Sequence, residues 1–583
     1  MSKRPLNVKL LSSLLMAGTL VLAGCSDNDY DFNQIDATIG IGGDGLEIPA
    51  SSTEDIKLKD VLDLEEDGSV VEDATTHDYV FRQNGDPISP ITVNIEKIQV
   101  AKQHGESLPF SFEMPSGAKH TRSALGAITA NSDIYTFTYN GERPREVVDL
   151  VKADASTVLS LNVPLQSISS AVSTLQSVKL TLPDYITFDM GACSTAPSNV
   201  SGSTISFTNV PTNKTFSVKV NVKSLDFKKA GTSKNKIELT DKNIRLVGTI
   251  HLSASGEINN IPTSPLPEIN VDFGMDNFTI NAATGRFNPD INMNEGLGST
   301  TISGIPEFLQ DDNVRVDLYN PQILLTIGND MEADGTITGK IVSKKKGVVI
   351  QTIDNIIIPV EGNKENKICI NRTGEAKEGY TVVKKEDLSK AIEIIPDEIT
   401  FEATAKANSE KVITFLLGHD YHITPAYSID APLAFAKNAE IVYKDTLDGW
   451  NDDIKDMELA TDAYISATAY ADNGVPVYLT IDASPVDINK QPVDGINIEL
   501  LQKDVKASAN GVDKATSLLE IKITQTKKGA MKNLDGIIFT ATGKATDSEG
   551  NSVTGVTLNA EKHNLKIRDI RIKVVGKVIG DFN

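Results

Sequence analysis

In the stretch FSVKVNVKSLDF, Phe216, Val218, Val220 and Val222 alternate with Ser217, Lys219, Asn221 and Lys223. A repeat of two puts one set on each side of an extended chain, the mark of a half-buried β-strand. The alternation returns in SVKLTLPDYITF, VRVDLYNPQILLTI and PVYLTIDASPVDI, each broken by a proline that belongs at a strand end, an edge or a bulge. In HNLKIRDIRIKVVGKV it runs through Leu565 and Ile567, slips at Arg568 and Asp569, and resumes at Ile570, Ile572 and Val574. That slip predicts one long strand carrying a β-bulge.

Polar links punctuate these runs: DSEGNS, EADGT and SASGE read as hairpin connections. Helical spacing is confined to three pieces: REVVDLVKA, LQSISSAVSTLQ with Leu165, Ile168, Val172 and Leu175 on one side, and EDLSKAIEIIP, stopped by Pro396. The expected fold class is mainly β, with tandem antiparallel β-sandwich (immunoglobulin-like) domains and few short helices. Boundaries are expected near residues 155, 310 and 400. They give β-rich domains at 51–155 and 156–310, a β-sandwich at 311–400 and a C-terminal β-rich domain at 401–583. Residues 25–50, with glycines at 40, 42, 43 and 45, read as an acidic flexible tether. The piece VRVDLYNPQILLTIGNDMEADGTITGKI resembles the strand, Asn-Pro, strand pattern of late-embryogenesis-abundant β-sandwich domains, which implies a fold class only.

The N-terminus changes the picture. Residues 1–9 carry Lys3, Arg4 and Lys9 and no acid, and the apolar stretch LLSSLLMAGTLVLAG follows, the form of an export signal over residues 1–24. It falls short of the roughly 20 apolar residues that span a bilayer. Leu22, Ala23, Gly24 and Cys25 resemble the lipobox of bacterial lipoproteins. The resemblance implies cleavage before Cys25 and its acylation, with chains such as palmitate holding the body on a membrane. The run SDNDYDFNQ that follows, with Asp27, Asp29 and Asp31, resembles the acidic export signal of Bacteroidetes-type surface lipoproteins. That likeness implies an outer-membrane protein facing the cell exterior, whose partners are the membrane, through its lipid anchor, and an extracellular protein or glycan.

Charge bounds the partners further. The chain holds 79 Asp and Glu against 56 Lys and Arg, and losing residues 1–24 takes the formal net charge from −23 to −26. Such a field repels nucleic acid, so no nucleic-acid partner is expected. Beyond Cys25 the cysteines are Cys193 and Cys369; two unbridged thiols are expected, although an exported compartment would permit a disulfide.

Catalytic motifs are absent from the sequence: there is no HExxH, GxSxG, phosphate loop or CxxC. The expectation is therefore no enzyme, no catalytic residue, no metal and no cofactor. GHDYH, with His419, Asp420 and His422, is the densest ligand cluster, but i and i+3 on a strand face opposite sides. KDTLDGWNDDIKDMEL gathers acids around the chain's only tryptophan. There Asp448, Trp450 and Asp452 form a candidate ligand surface, since sugar stacking or calcium binding needs such a mixture; the favoured reading of Trp450 itself is a core tryptophan beside a solvated acidic turn. Asp445-Thr446-Leu447 resembles the O-glycosylation site of exported Bacteroidetes proteins, which implies Thr446 as acceptor. The expected function is a lipid-anchored cell-surface protein with a non-enzymatic binding or structural role. The alternatives are a polysaccharide-binding or polysaccharide-processing lipoprotein, and a fimbrial subunit or adhesin.

Overall fold

The computed structural model describes residues 36–581, except 50–51, 63, 65–67, 115–125, 230, 261, 263–264, 294–295, 312, 456 and 461. The export signal, Cys25 and Asp27–Asp31 lie outside the described residues. Among the described residues the chain is mainly β, in several sheets, with only short helices such as Leu58–Leu62 and Lys390–Glu393. Among the described ladders one is parallel, Lys364–Asn371 with Thr381–Lys384; the rest are antiparallel.

Three bodies are nested in the chain. The outermost pairs Asp36–Pro49, Asn564–Asp581, Tyr464–Asn473, Ala515–Gln525 and Ile496–Gln502 in one sheet. A four-stranded sheet of Glu440–Leu447, Gly536–Lys544, Tyr478–Val486 and Asp504–Val505 belongs to the same body. Trp450, Ile496, Ile523, Met531 and Ile537 fill the space between the two sheets. The middle body draws Val70–Glu72, Tyr79–Asn84 and Ile91–Val93 from one side of the chain and strands from Ser299–Thr301 to Tyr421–Pro432 from the other. The innermost body is a 13-stranded sheet running from Ile98–Ser107 to Phe278–Phe287, with Ile413–Leu416 added on the last of these. One apolar cluster continues through the middle and innermost bodies.

This nesting departs from the expected domain order. The boundaries at 155 and 400 fall inside the strands Val147–Val163 and Glu398–Ala407, and residues 51–155 supply strands to all three bodies. Period-two alternation reports that a segment is a strand, not which distant segment pairs with it. The tether is also corrected over part of its length. Asp36–Pro49 is an edge strand laid against Asn564–Asp581, with Ile39 opposite Val578 and Ile48 opposite Ile572; its glycine-rich 42–45 segment is where the register shifts.

Two of the helical readings are replaced by strands or turns. REVVDLVKA lies largely in Val147–Val163. Register shifts against Phe278–Phe287 insert extra residues beside Leu150 and Val147, so Val147, Leu150 and Ala153 are buried every third residue and imitate a helix. LQSISSAVSTLQ is a 3₁₀ turn, Leu165–Ile168, leading to the strand Thr174–Thr181, with its four apolar residues all buried. SASGE ends the strand Asn243–Glu257 rather than turning, and EADGT connects two different sheets. The bulge at Arg568 and Asp569 is present: the register with Tyr464–Asn473 shifts there and Asp569 has φ 55°.

Candidate functional site

The acidic tryptophan loop is built from its backbone outward. Gly449 turns with φ 90°, and the Asp535 carboxylate accepts the N–H groups of Gly449 at 3.2 Å and Asn451 at 3.0 Å. The Asn451 side chain donates to the Lys532 carbonyl at 2.8 Å, and the Trp450 backbone N–H donates to the Asp535 carbonyl at 2.9 Å. This frame presses the indole into the outermost core, where it is 5% exposed against residues such as Leu459, Val493 and Leu534. The ligand-surface reading is thereby corrected for Trp450: a ring buried among aliphatic groups presents no face to a sugar. Asp448 and Asp452 remain at the surface, each beside a lysine, Lys490 at 3.4 Å and Lys455 at 3.0 Å. Thr446 sits half-buried near the end of the edge strand Glu440–Leu447, its N–H bonded to the Asp445 carboxylate at 2.8 Å.

The histidines are engaged separately. His419 stands edge-on to Tyr421 at 4.7 Å, Asp420 accepts from Asn94, and His422 lies 3.5 Å from Asp330. His251, on the strand Asn243–Glu257, places Nδ1 3.1 Å from Asp133 and Nε2 2.8 Å from Asn131. A hydrogen bond from Lys234 is the main reason that the Asp133 carboxyl is held below the usual range, with His251 adding to it. The arrangement has the acid and imidazole of a proton relay, yet both ring nitrogens are already occupied, leaving none to activate a nucleophile. Glu72, His77 and Glu561 bring their ligand atoms within 4.8 Å of one another at the surface; His77 is hydrogen-bonded to Glu72 at 2.6 Å and Lys59 lies 3.8 Å from Glu561.

A trough of about 660 Å³ opens beside the hairpin turn at Lys346, where Ser303, Gln310, Asn313, Lys345 and Asp397 converge. Its polar groups are largely satisfied from within: the Lys346 N–H donates to Asp397 and the Gln310 amide to the Ile305 carbonyl at 2.6 Å. Three stretches separated by tens of residues line it, so no local pattern announces it. The neighbouring edge strand Val348–Val360 exposes Val348, Val349 and Ile357. Two register shifts, Asp354 and Pro359 interrupt its free ladder, a recurrent protection against edge-to-edge pairing.

The thiols are apart and free; Cys369 is fully buried and Cys193 half-buried. Among the described residues no helix is long and apolar enough to cross a membrane.

No protein-family model matches the chain, and no curated protein matches it either. Among solved structures, the chain is similar to a protein from Parabacteroides distasonis ATCC 8503 provisionally described as secreted. The identity is 16%, over 51% of this chain and 83% of that one, with a TM-score of 0.35. It is also similar to the adhesin domain of Epf from Streptococcus pyogenes, at 9% identity over 57% of this chain and 98% of that one, with a TM-score of 0.12.

Proposed function

We propose that the chain is a protein of the outer membrane, lipid-anchored through Cys25 and facing the exterior, with a non-enzymatic binding or structural role toward an extracellular protein or glycan. The observation that carries this reading is the Leu22-Ala23-Gly24-Cys25 motif with Asp27, Asp29 and Asp31 just beyond it; the strand Asp36–Pro49, paired with Asn564–Asp581, follows. The strand begins eleven residues after Cys25, so a short tether would enter the outermost body, with the innermost body attached through the middle one. Acyl chains, at about 0.8 kcal/mol per buried CH₂, would be enough to moor such a body. Burial of Trp450 removes the aromatic platform that motivated a polysaccharide role. Thr446 is the position proposed to carry an O-linked glycan.

The test is mass spectrometry of the native N-terminal peptide together with protease treatment of intact cells. Acylated Cys25 and digestion without lysis are expected. An unmodified Cys25 overturns the anchor; digestion only after outer-membrane rupture overturns the orientation.

A further inference from the structure

The turn that fastens the outermost body to the middle one is organised by a buried imidazole. Among the hydrogen bonds that cross between the bodies, four join the 558–561 turn to residues 76–79: Tyr79 N–H to the Leu558 carbonyl at 2.9 Å, Ala560 N–H to the His77 carbonyl at 2.9 Å, and the Asn559 side-chain amide to the Thr76 carbonyl at 2.9 Å and the Asp78 carboxylate at 2.8 Å. Asn559 is in turn positioned by His563, whose Nδ1 accepts the Asn559 N–H at 3.0 Å. An accepting Nδ1 carries no proton, so the ring proton resides on Nε2, the nitrogen that lies against Gly511. His563 is 2% exposed. Gly511 has φ +69°, and a Cβ there would stand 2.7 Å from Nε2, so glycine is what lets the loop close over the ring.

We propose that this joint is an acid-released latch: a proton on His563 Nδ1 would replace the acceptor of the Asn559 backbone N–H with a second donor and free the 558–561 turn from residues 76–79. Two N–H groups facing each other at hydrogen-bond distance repel, and a buried donor without an acceptor is unfavourable. The charged groups that face the ring are Asp78, across the joint, which favours the cation, and Lys562, its chain neighbour, which opposes it. Burial outweighs both and holds the imidazole below its ordinary value, so the latch is closed at neutral pH and opens as pH falls beneath the usual histidine range. The consequence is a change in how the middle and innermost bodies are held on the outermost one. It does not depend on the lipid anchor.

Hydrogen exchange on the detergent-purified full chain, compared at about pH 7.5 and about pH 5 after correction for intrinsic rates, tests the latch. Protection of amides in 76–82 and 555–563 should fall, by up to about tenfold for each pH unit between the ordinary histidine value of about 6.5 and the lower value of the closed joint. His563→Gln, which cannot titrate, should lose that response, while His77→Gln, on the solvent side of the joint, should keep it. An equal response in His563→Gln, or unchanged wild-type protection, overturns the proposal. Should His563→Gln fail to fold, imidazole NMR of the wild type decides. Titration of His563 below about 6.5 together with loss of the Asn559 amide signal supports the latch, and titration at or above that value overturns it.

Discussion

The Asp535 carboxylate accepts the Asn451 N–H at 3.0 Å, and this bond fixes the loop that drives Trp450 into the outermost core. Asp535 is itself buried, so removing its oxygens strands the Gly449 and Asn451 amides, at about 1–3 kcal/mol. Asp535→Ala should lower the urea midpoint. Because Trp450 is the only tryptophan, its emission should also shift to the red and become more open to iodide quenching. An unchanged midpoint and spectrum would remove this role from Asp535.

Burial of Trp450 makes a separate claim about ligands. Trp450→Ala should destabilise the outermost body by about 3–5 kcal/mol, as large-to-small core changes do. Saturating glycans added to the wild type should leave its tryptophan emission unmoved. A glycan-dependent shift would restore the stacking surface.

The strand at Asp36–Pro49 is tested by a chain that begins at residue 50. Ten paired positions along Asn564–Asp581 lose their partner. Hydrogen exchange should quicken over 571–581, and the uncovered edge should promote association. Unaltered exchange there would return 36–49 to the status of a tether.

Asp472 gives a pH dependence. Its hydrogen bond from Arg568 at 2.7 Å is the main cause holding the carboxyl below its ordinary value of 3.8. A carboxyl depressed by folding stabilises fully above its unfolded value and loses that contribution as pH falls through the folded one. Stability measured by urea unfolding should therefore decline below about 3.8, and Asp472→Asn should flatten that decline while lowering stability at neutral pH. Identical acid limbs in both proteins would show that the pair contributes nothing.

The two thiols should differ in reactivity. Burial is the first cause that pushes the Cys369 thiol up, and the thiolate is the reactive form. Ellman's reagent should label Cys193 in the folded chain and Cys369 only after denaturation. Rapid labelling of both, or a disulfide found by peptide mapping, would contradict this placement.

How much of this was legible from residues alone depends on the range of the interaction. Phe216, Val218, Val220 and Val222 are buried as their alternation requires, and the slip at Arg568 and Asp569 is a bulge in one long strand. Both follow from local geometry, in which successive side chains take opposite faces. REVVDLVKA misled because bulges stretched its burial interval to three, and a bulge is set by the partner strand. His563 gave no signal, since its importance lies in the Asn559 amide it accepts and the residues near 76–79 that Asn559 grips.

The sequence by itself determined that the chain is strand-rich and acidic, where its half-buried strands turn their faces, and that it lacks catalytic motifs. Only the tertiary structure decided that the bodies are nested, that a glycine-rich leader is an edge strand, and that the tryptophan is core. Side-chain alternation is written within a few residues, whereas the choice of partner strand is made by registers and packing between segments that can lie more than about five hundred residues apart.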